Sequence, residues 1–251
     1  MDPRVPAGYS VAIFDEIDST NEEARRRAAA GERGPLWICA RRQTAGRGRR
    51  GREWVSPEGN LMATLLIAPG VSPPEAARLS FVAALAVHDL VGRYAAHAAV
   101  RVKWPNDVLV NGRKVAGILL ESSSAEGQDT VPWLAVGIGV NLIHAPSNTV
   151  FPATFVGAHG AAPSPAEALA ELAEAWETRF RVWRVSGFSA IREAWLAVAA
   201  GVGQDVEVRL PGETLQGRFE TLMPDGALSL LLPSGARRAV TAGEVFFAAK
   251  D

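Results

Sequence analysis

Residues 43–59 read QTAGRGRRGREWVSPEG. Gly46, Gly48 and Gly51 are interleaved with Arg47, Arg49, Arg50 and Arg52. Glycine admits positive φ and lets other groups approach the backbone closely. Arginine offers a planar fork of donors that matches carboxylate and phosphate oxygens. The stretch is too charged for a core, so it reads as a loop built to close around an anion. The glycines fit G-x-G-x-x-G, but that fingerprint needs a helix to begin at the loop. Here the chain runs through Trp54, Val55, Ser56 and Pro57 into NLMATLLIA, which reads as a strand. The dinucleotide fingerprint is therefore a decoy. An exposed basic loop without a ligand, and an Arg-Gly segment for single-stranded nucleic acid, are the other readings.

Upstream of the loop, residues 35–42 read as a strand and residues 9–14 as an earlier one. Between them, Ser19, Thr20 and Asn21 precede strong helix formers, and Gly31 closes the helix. Glu22 lies at capping-box spacing from Ser19. A helix N-terminus also offers free N–H groups and hydroxyls to a polar ligand. Downstream, residues 60–68 form a third strand, and Pro73-Pro74-Glu75 starts a long helix. Leu79, Val82, Ala86 and Leu90 give that helix one apolar face.

Residues 100–103, 107–110 and 114–122 read as strands, with Asn111-Gly112 as a hairpin turn. Lys103, Trp104, Asn106, Asp107 and Lys114 thus share one β-unit. Residues 122–128 read as a polar loop, and PWLAVGIGVNL as a strand ending at Asn141. Residues 144–165 read as a long connection. Helices follow from Pro165 and over about 188–200, before a boundary at Gly201 and Gly203. The tail has short strands between Pro/Gly turns, which describes a small β-barrel or sandwich. At about 50 residues it leans on the rest for stability. The expected division is 1–200 and 201–251.

With 48% hydrophobic and 21% charged residues the chain is of ordinary globular composition. A formal net charge of -1 argues against a surface made wholly for nucleic acid. Cys39, in the apolar run LWICA, is the single cysteine, so an intrachain disulfide and a cysteine-based zinc site are excluded and a reducing cytoplasm is expected. No signal-peptide core or membrane-length apolar run is present. His88, His97, His144 and His159 lack metal-ligand spacing. Neither a G-x-S-x-G elbow nor a G-x-x-x-x-G-K-[ST] loop occurs.

Taken singly, Lys103 and Lys114 are edge guards, Trp104 is core and Asn106-Asp107 is a turn. Their co-occurrence with four loop arginines points to catalysis by charge placement. Joining a carboxylate to a nucleotide phosphate brings two anions together. Unit charges 4 Å apart repel by about 4 kcal/mol at an effective dielectric near 20. Fixed cations cancel that repulsion and stabilise charge growing on the phosphoryl oxygens. Holding the reactants in line adds proximity.

The blocks STN, QTAGRGRRGREWVSPEGNL, VRVKWPNDVLVNGRKVAGILLE and GIGVNL, in this order, resemble the biotin–protein ligases. The resemblance spans about residues 19–142. It implies an α+β fold, with a mixed β-sheet and helices packed on it, like class II synthetases, plus a small C-terminal SH3-like β-barrel. It implies that biotin and Mg-ATP form biotinoyl-5′-AMP, and that the biotinoyl group passes to one lysine of a biotin carboxyl carrier protein. Ser19, Thr20, Asn21, Gln43, Gly46 and Arg47 would hold biotin's ureido ring, with Gly117 against the vitamin. Arg47, Arg49, Arg50 and Arg52 would order over the ligand and hold phosphates, and Trp54 would cover the adenylate. Lys103, Asn106 and Asp107 would serve ATP, metal and the incoming lysine, with Mg2+ brought by ATP. Lys114 and Arg49 would face the reacting carboxylate and phosphate, Asp107 the attacking amine, and Asn141 the adenine.

Some relatives begin with a helix-turn-helix domain. The first strand here starts about nine residues in, so a ligase without DNA binding is expected, cytoplasmic and possibly homodimeric. The rivals are a lipoate–protein ligase of the same fold and a non-catalytic anion- or RNA-binding module. The lipoate family's signature, a triple-glycine run followed by a His-Asp pair, is absent, because the chain has no triple glycine.

Overall fold

The computed structural model describes residues 3–123, 129–147 and 149–247. Twelve strands and four α-helices are present among them. In chain order the first part runs β1 (Ser10–Ile17), α1 (Thr20–Ala29), β2 (Leu36–Gln43), β3 (Leu61–Ile67), α2 (Pro73–Ala77) and α3 (Leu79–Tyr94). Then come β4 (Val100–Lys103), β5 (Asp107–Val110), β6 (Arg113–Ser122), β7 (Leu134–Val140) and α4 (Pro165–Ala197). The tail holds β8 (Asp205–Leu210), β9 (Glu213–Leu222), β10 (Leu228–Leu231), β11 (Arg237–Val240) and β12 (Glu244–Phe247). Most of the expected polar loop, residues 124–128, lies outside the described residues, as does Asn148 of the long connection.

Seven strands form a mixed sheet in the order β1-β2-β3-β7-β6-β5-β4. β1 and β2 are parallel, joined through α1, and every other pairing is antiparallel. Strand side chains alternate between faces, and that period sorts this sheet. Leu61, Ala63, Leu65 and Ile67 of β3, with Leu134, Val136, Ile138 and Val140 of β7, join the core under α3 and α4. The opposite face carries Leu66 and Ala135, packed with Ala24 and Ala28 of α1. Further along that second face Met62 and Leu119 border the cavity of the site described below.

The helices have identifiable limits. Ser72 and Glu75 make a capping box at α2, and Ser164 and Glu167 make one at α4. Arg78 divides the long helix expected from Pro73 into α2 and α3. α4 is broken at Gly187 (φ 69°, ψ −173°), so its second half starts where the second helix was expected. The capping box expected at Ser19 does not form. The Ser19 side chain makes no cap bond, and Glu22 turns instead to Arg25 and Arg47. A carboxylate facing two guanidinium groups gains more there than from one backbone N–H.

β8 to β12 form a second, antiparallel sheet, ordered β11-β10-β9-β8-β12. Its inward residues Val208, Phe219, Leu228 and Leu230 merge with the main core. Trp104 Nε1 donates to Gly226 O at 3.2 Å, and Arg192 Nε donates to Leu222 O at 2.6 Å. The tail thus leans on the larger sheet, as its size requires.

Candidate active site

A cavity of about 420 Å³ opens on the second face of the main sheet, beyond α1. That is within the usual range for a small-molecule site. Its floor is made by Gly117 of β6 and by Gly137 and Gly139 of β7, the residues that share this face with Leu119 and Ala135. Each glycine has a steric reason. A Cβ at Gly137 would lie 2.2 Å from Asn21 Oδ1, and one at Gly139 would lie 2.4 Å from the Trp54 indole. Trp54 therefore lies flat on a glycine floor, and Asn21 reaches down beside it.

At the α1 end the cavity is polar. Thr20 N donates to Gln43 Oε1 at 2.8 Å, and Gln43 Nε2 donates to Ser56 Oγ at 2.9 Å. Ser56 Oγ in turn donates to Trp54 O at 2.9 Å. Asn21 Nδ2 donates to Glu121 Oε2 at 2.7 Å. Ser19, Thr20 and Asn21 are all buried, so this end presents fixed hydroxyl and amide groups rather than water-mobile ones. Gly46 does not line the cavity. A Cβ there would strike Trp54 O at 2.5 Å, so its role is to let the loop base pack closely.

At the other end the cavity is cationic. Asp107 is buried between two ammonium groups, Lys114 Nζ at 2.6 Å and Lys103 Nζ at 3.5 Å. Burial pushes the Asp107 carboxyl up, but Lys114 and Lys103 together outweigh it and hold the group below the usual carboxylate range. Burial pulls Lys103 down from the ordinary lysine value, against the attraction of Asp107. Its Nζ also sits 4.0 Å from the Phe151 ring centroid, a cation–π contact. The Lys114 contact is a close ion pair to Asp107 Oδ1, an oxygen buried from solvent.

The Arg-Gly loop is stitched shut over this end. Trp54 N donates to Gly46 O at 2.9 Å and Gly48 N to Arg52 O at 2.7 Å, around a 3-10 turn at Arg49–Gly51. Arg50 (φ 58°), together with Gly51 (φ 70°), takes the left-handed conformation. Three of the four guanidinium groups already face carboxylates. Arg47 pairs with Glu22 at 2.6 Å, and Arg50 and Arg52 both face Glu244 of the second sheet. Arg49 meets only neutral oxygens, Asn106 Oδ1 at 3.2 Å and Gly243 O at 3.3 Å. Burial and the neighbouring Arg50 charge lower its pKa from the ordinary arginine value. Arg49 is thus the loop guanidinium whose charge is least compensated.

The structure gathers Ser19, Thr20, Asn21, Gln43, Arg47, Arg49, Arg52 and Trp54 around one cavity with Lys103, Asn106, Asp107, Lys114, Gly117 and Asn141. Arg50 is exposed and lines no part of it, because its left-handed backbone turns the side chain toward Glu244. Asn141 lines the cavity but is buried, with Nδ2 donating to Thr154 O at 3.0 Å. Sequence reasoning missed Gly137 and Gly139, although two glycines at strand period signal a close approach to one face. It also missed the counter-ions Glu22, Glu121 and Glu244, and Asn60. Asn60 Oδ1 accepts from the backbone N–H groups of Leu142, Ile143 and His144, at 3.0, 3.1 and 3.1 Å, and so shapes the turn after Asn141. No cluster of three metal-ligating side chains exists among the described residues.

Known proteins are similar to this chain in sequence and in fold. The sequence profile of the biotin/lipoate A/B protein ligase family matches residues 13–141, and that of the biotin protein ligase C terminal domain matches residues 201–248. The biotin–[acetyl-CoA-carboxylase] ligase of Paracoccus denitrificans is 47% identical over 246 residues, covering 94% of this chain and 99% of that one. The corresponding ligase of Mycobacterium tuberculosis is 34% identical, covering 93% and 87%. Among solved structures, the biotin protein ligase of Aquifex aeolicus in complex with biotin and ATP superposes with a TM-score of 0.79. It is 26% identical, with 96% of this chain and 99% of that one covered. With a family profile over half of its length and a full-length relative at 47% identity, the chain belongs to the biotin/lipoate A/B protein ligase family.

Proposed function

We propose that this chain activates biotin with ATP as biotinoyl-5′-AMP and transfers the biotinoyl group to a lysine of a biotin carboxyl carrier protein. The observation that carries the reading is the polarity of one cavity. It runs from neutral hydroxyl and amide groups at Ser19, Thr20 and Gln43, across a glycine floor under Trp54, to Lys114, Lys103 and Arg49. A neutral cyclic urea suits the first end. A carboxylate meeting a phosphate suits the second.

In the first step the biotin carboxylate attacks the α-phosphorus of ATP, and the bond from that phosphorus to the bridging oxygen breaks to release pyrophosphate. Lys114 and Arg49 offset the repulsion between the two anions and stabilise charge on the phosphoryl oxygens. Mg2+ arrives with the triphosphate and neutralises part of its charge when bound. Asp107 keeps Lys103 and Lys114 oriented. In the second step a neutral lysine amine attacks the mixed-anhydride carbonyl, the C–O bond to the phosphate breaks so that AMP leaves, and the proton shed by the new amide nitrogen passes to water. A carboxylate held ionised by two ammonium groups is a weak base. The Asp107 charge instead helps to draw the amine toward the lysine end of the cavity.

Incubation with biotin, Mg-ATP and a carrier domain is expected to add one biotinoyl mass to the carrier. Gain with lipoate but not biotin would favour the sister ligase. RNA binding without transfer would favour the non-catalytic reading. The 47% relative named for biotin and acetyl-CoA carboxylase supports the biotin reading over lipoate.

Arg49 gives a further expectation. Its two bonds tie the loop to Asn106 and to the second sheet. Hydrogen bonds from a charged donor contribute about 1.5–3 kcal/mol each, so Arg49→Ala is expected to speed escape of the adenylate by about tenfold or more. The sign is biotin label on bystander proteins. Label confined to the carrier would show that the loop holds without Arg49.

Residues 1–200 act as the catalytic part in this reading, with 201–251 as a module that anchors the loop through Glu244. A cytoplasmic location is supported by the single buried thiol, Cys39, which burial pushes up to about 12. No described helix is long and apolar enough to cross a membrane. A homodimer through β1 is supported by its edge position and by Ile13, which is 49% exposed. Sedimentation at rising concentration is expected to show the mass doubling, and a constant monomer mass would remove that proposal.

A further inference from the structure

Asn60 lines no part of the cavity, yet its amide holds the chain that walls one end of it. The side chain is buried at the foot of β3, where the Arg-Gly stretch ends. Its Oδ1 accepts from the N–H groups of Leu142, Ile143 and His144, and its Nδ2 donates to His144 O at 3.0 Å. Three donors on one side and an acceptor on the other fix which way round the amide lies. Consecutive N–H groups aimed at one point form a nest, which needs an acceptor at its centre. At this depth an N–H left without a partner is costly. Gly59 packs beside the same turn, where a Cβ would lie 2.3 Å from Ile143 Cδ1.

The turn held in this way is one root of the wall. Beyond it Pro146, Thr149, Val150 and Phe151 line the cavity. The other root is Thr154. Its N–H donates to Lys114 O at 2.8 Å, and its C=O accepts from Asn141 Nδ2 at 3.0 Å. That root is pinned by β6 and by the end of β7. At the first root, among the described residues, Ile143 and His144 make no hydrogen bond except to Asn60. Asn60 Nδ2 also lies 3.5 Å from Asn141 Oδ1, so one amide braces both the turn and the cavity-lining Asn141. Phe151 places this wall at the cationic end, because its ring lies over Lys103. The bonds that fix the opposite, polar end run among Thr20, Gln43, Ser56 and Trp54 and include neither Asn60 nor the turn.

We propose that Asn60 is a positioning residue for the nucleotide. By closing the nest at residues 142–144 it sets the wall against which the nucleoside rests, and it leaves the biotin end of the cavity untouched. The phosphate stands at the lysines and the ring at the polar end, so the nucleoside carried by the phosphate falls on the wall rooted at Asn60. This rests on the function proposed above and adds a residue that acts on one substrate of the two.

The test compares the whole chain with its Asn60→Ala and Asn60→Asp variants. KM for ATP is taken from pyrophosphate release at saturating biotin, biotin affinity from calorimetry without ATP, and stability from the urea midpoint. A tenfold change corresponds to about 1.4 kcal/mol, the scale of one hydrogen bond. Asn60→Ala is expected to raise KM for ATP by about tenfold and to leave biotin affinity within about twofold of wild type. Asn60→Asp keeps an acceptor for all three N–H groups and gives up only the amide donor. Its KM for ATP is expected to rise by about threefold, again with biotin affinity held. Equal losses for ATP and biotin would mean a general loosening and would overturn the proposal. A lower urea midpoint with KM for ATP unchanged would overturn it too, since Asn60 would then be structural only. If Asn60→Ala does not fold, Asn60→Asp carries the same comparison on its own scale. Wild-type protein that releases no pyrophosphate in the presence of biotin would remove the proposed function itself. An active wild type whose variants show no effect confined to ATP removes only this inference.

Discussion

Lys114→Ala is expected to slow adenylate formation by about 10²–10³-fold, the usual effect of deleting one preorganised group that faces developing charge. Lys114 is placed for that role by the backbone on both sides. Its N–H donates to Pro152 O at 2.7 Å, and its C=O accepts from Thr154 N at 2.8 Å. Its Nζ lies 5.4 Å from the Trp54 ring centroid and 2.6 Å from Asp107. The side chain is 25% exposed, so water and ligand can reach it. Its removal leaves Asp107 with Lys103 as partner, and stability should change by no more than about 1 kcal/mol, as for a partly exposed pair. Pyrophosphate release and the urea midpoint, measured side by side, separate the two effects. A normal release rate would make Lys114 an edge guard. A large fall in the midpoint would make it structural.

How much of this could be read from the sequence depended on how local each cause was. The strands were legible because their signal is a short-range alternation, and Asn111-Gly112 marked the hairpin that brings Lys103, Asp107 and Lys114 together. The Arg-Gly loop was legible as an anion-binding element, but not its partners. Arg47 finds Glu22 across 25 residues, and Arg52 finds Glu244 across 192. Neither acid has a local pattern that announces it. Glu22 was misread as half of a capping box because that motif is local, whereas the arginines that claim its carboxylate arrive partly through tertiary structure. Asn60 opened an apolar run and read as the first residue of its strand. Its importance comes from Leu142, Ile143 and His144, which only the fold brings to its amide.

Asp107→Asn is expected to have the largest effect on stability. Removing one partner from a buried charge cluster costs about 3–5 kcal/mol, because the remaining charge is left uncompensated. Here that charge is Lys103, which is 5% exposed and already held below its ordinary value by burial, with Asp107 opposing that shift. Without the carboxylate, the lysine's folded-state value falls further. The direction with pH follows from proton counting. In wild type the folded Asp107 value is depressed, so its contribution is fully present above the unfolded carboxyl value of about 3.9 and is lost as pH falls through the folded value. Asp107→Asn should therefore lack that part of the acid-side loss. For Lys103 the unfolded chain binds the extra proton below about 10.4, so stability rises with pH between the folded value and that point. In the variant this rising window should extend to lower pH, and raising the pH should recover part of the lost stability. Urea unfolding of both proteins across pH is the measurement. A gap between them that stays constant at every pH would mean that Asp107 acts through shape and hydrogen bonding. The ammonium–carboxylate–ammonium cluster would then not be what holds the two lysines in place.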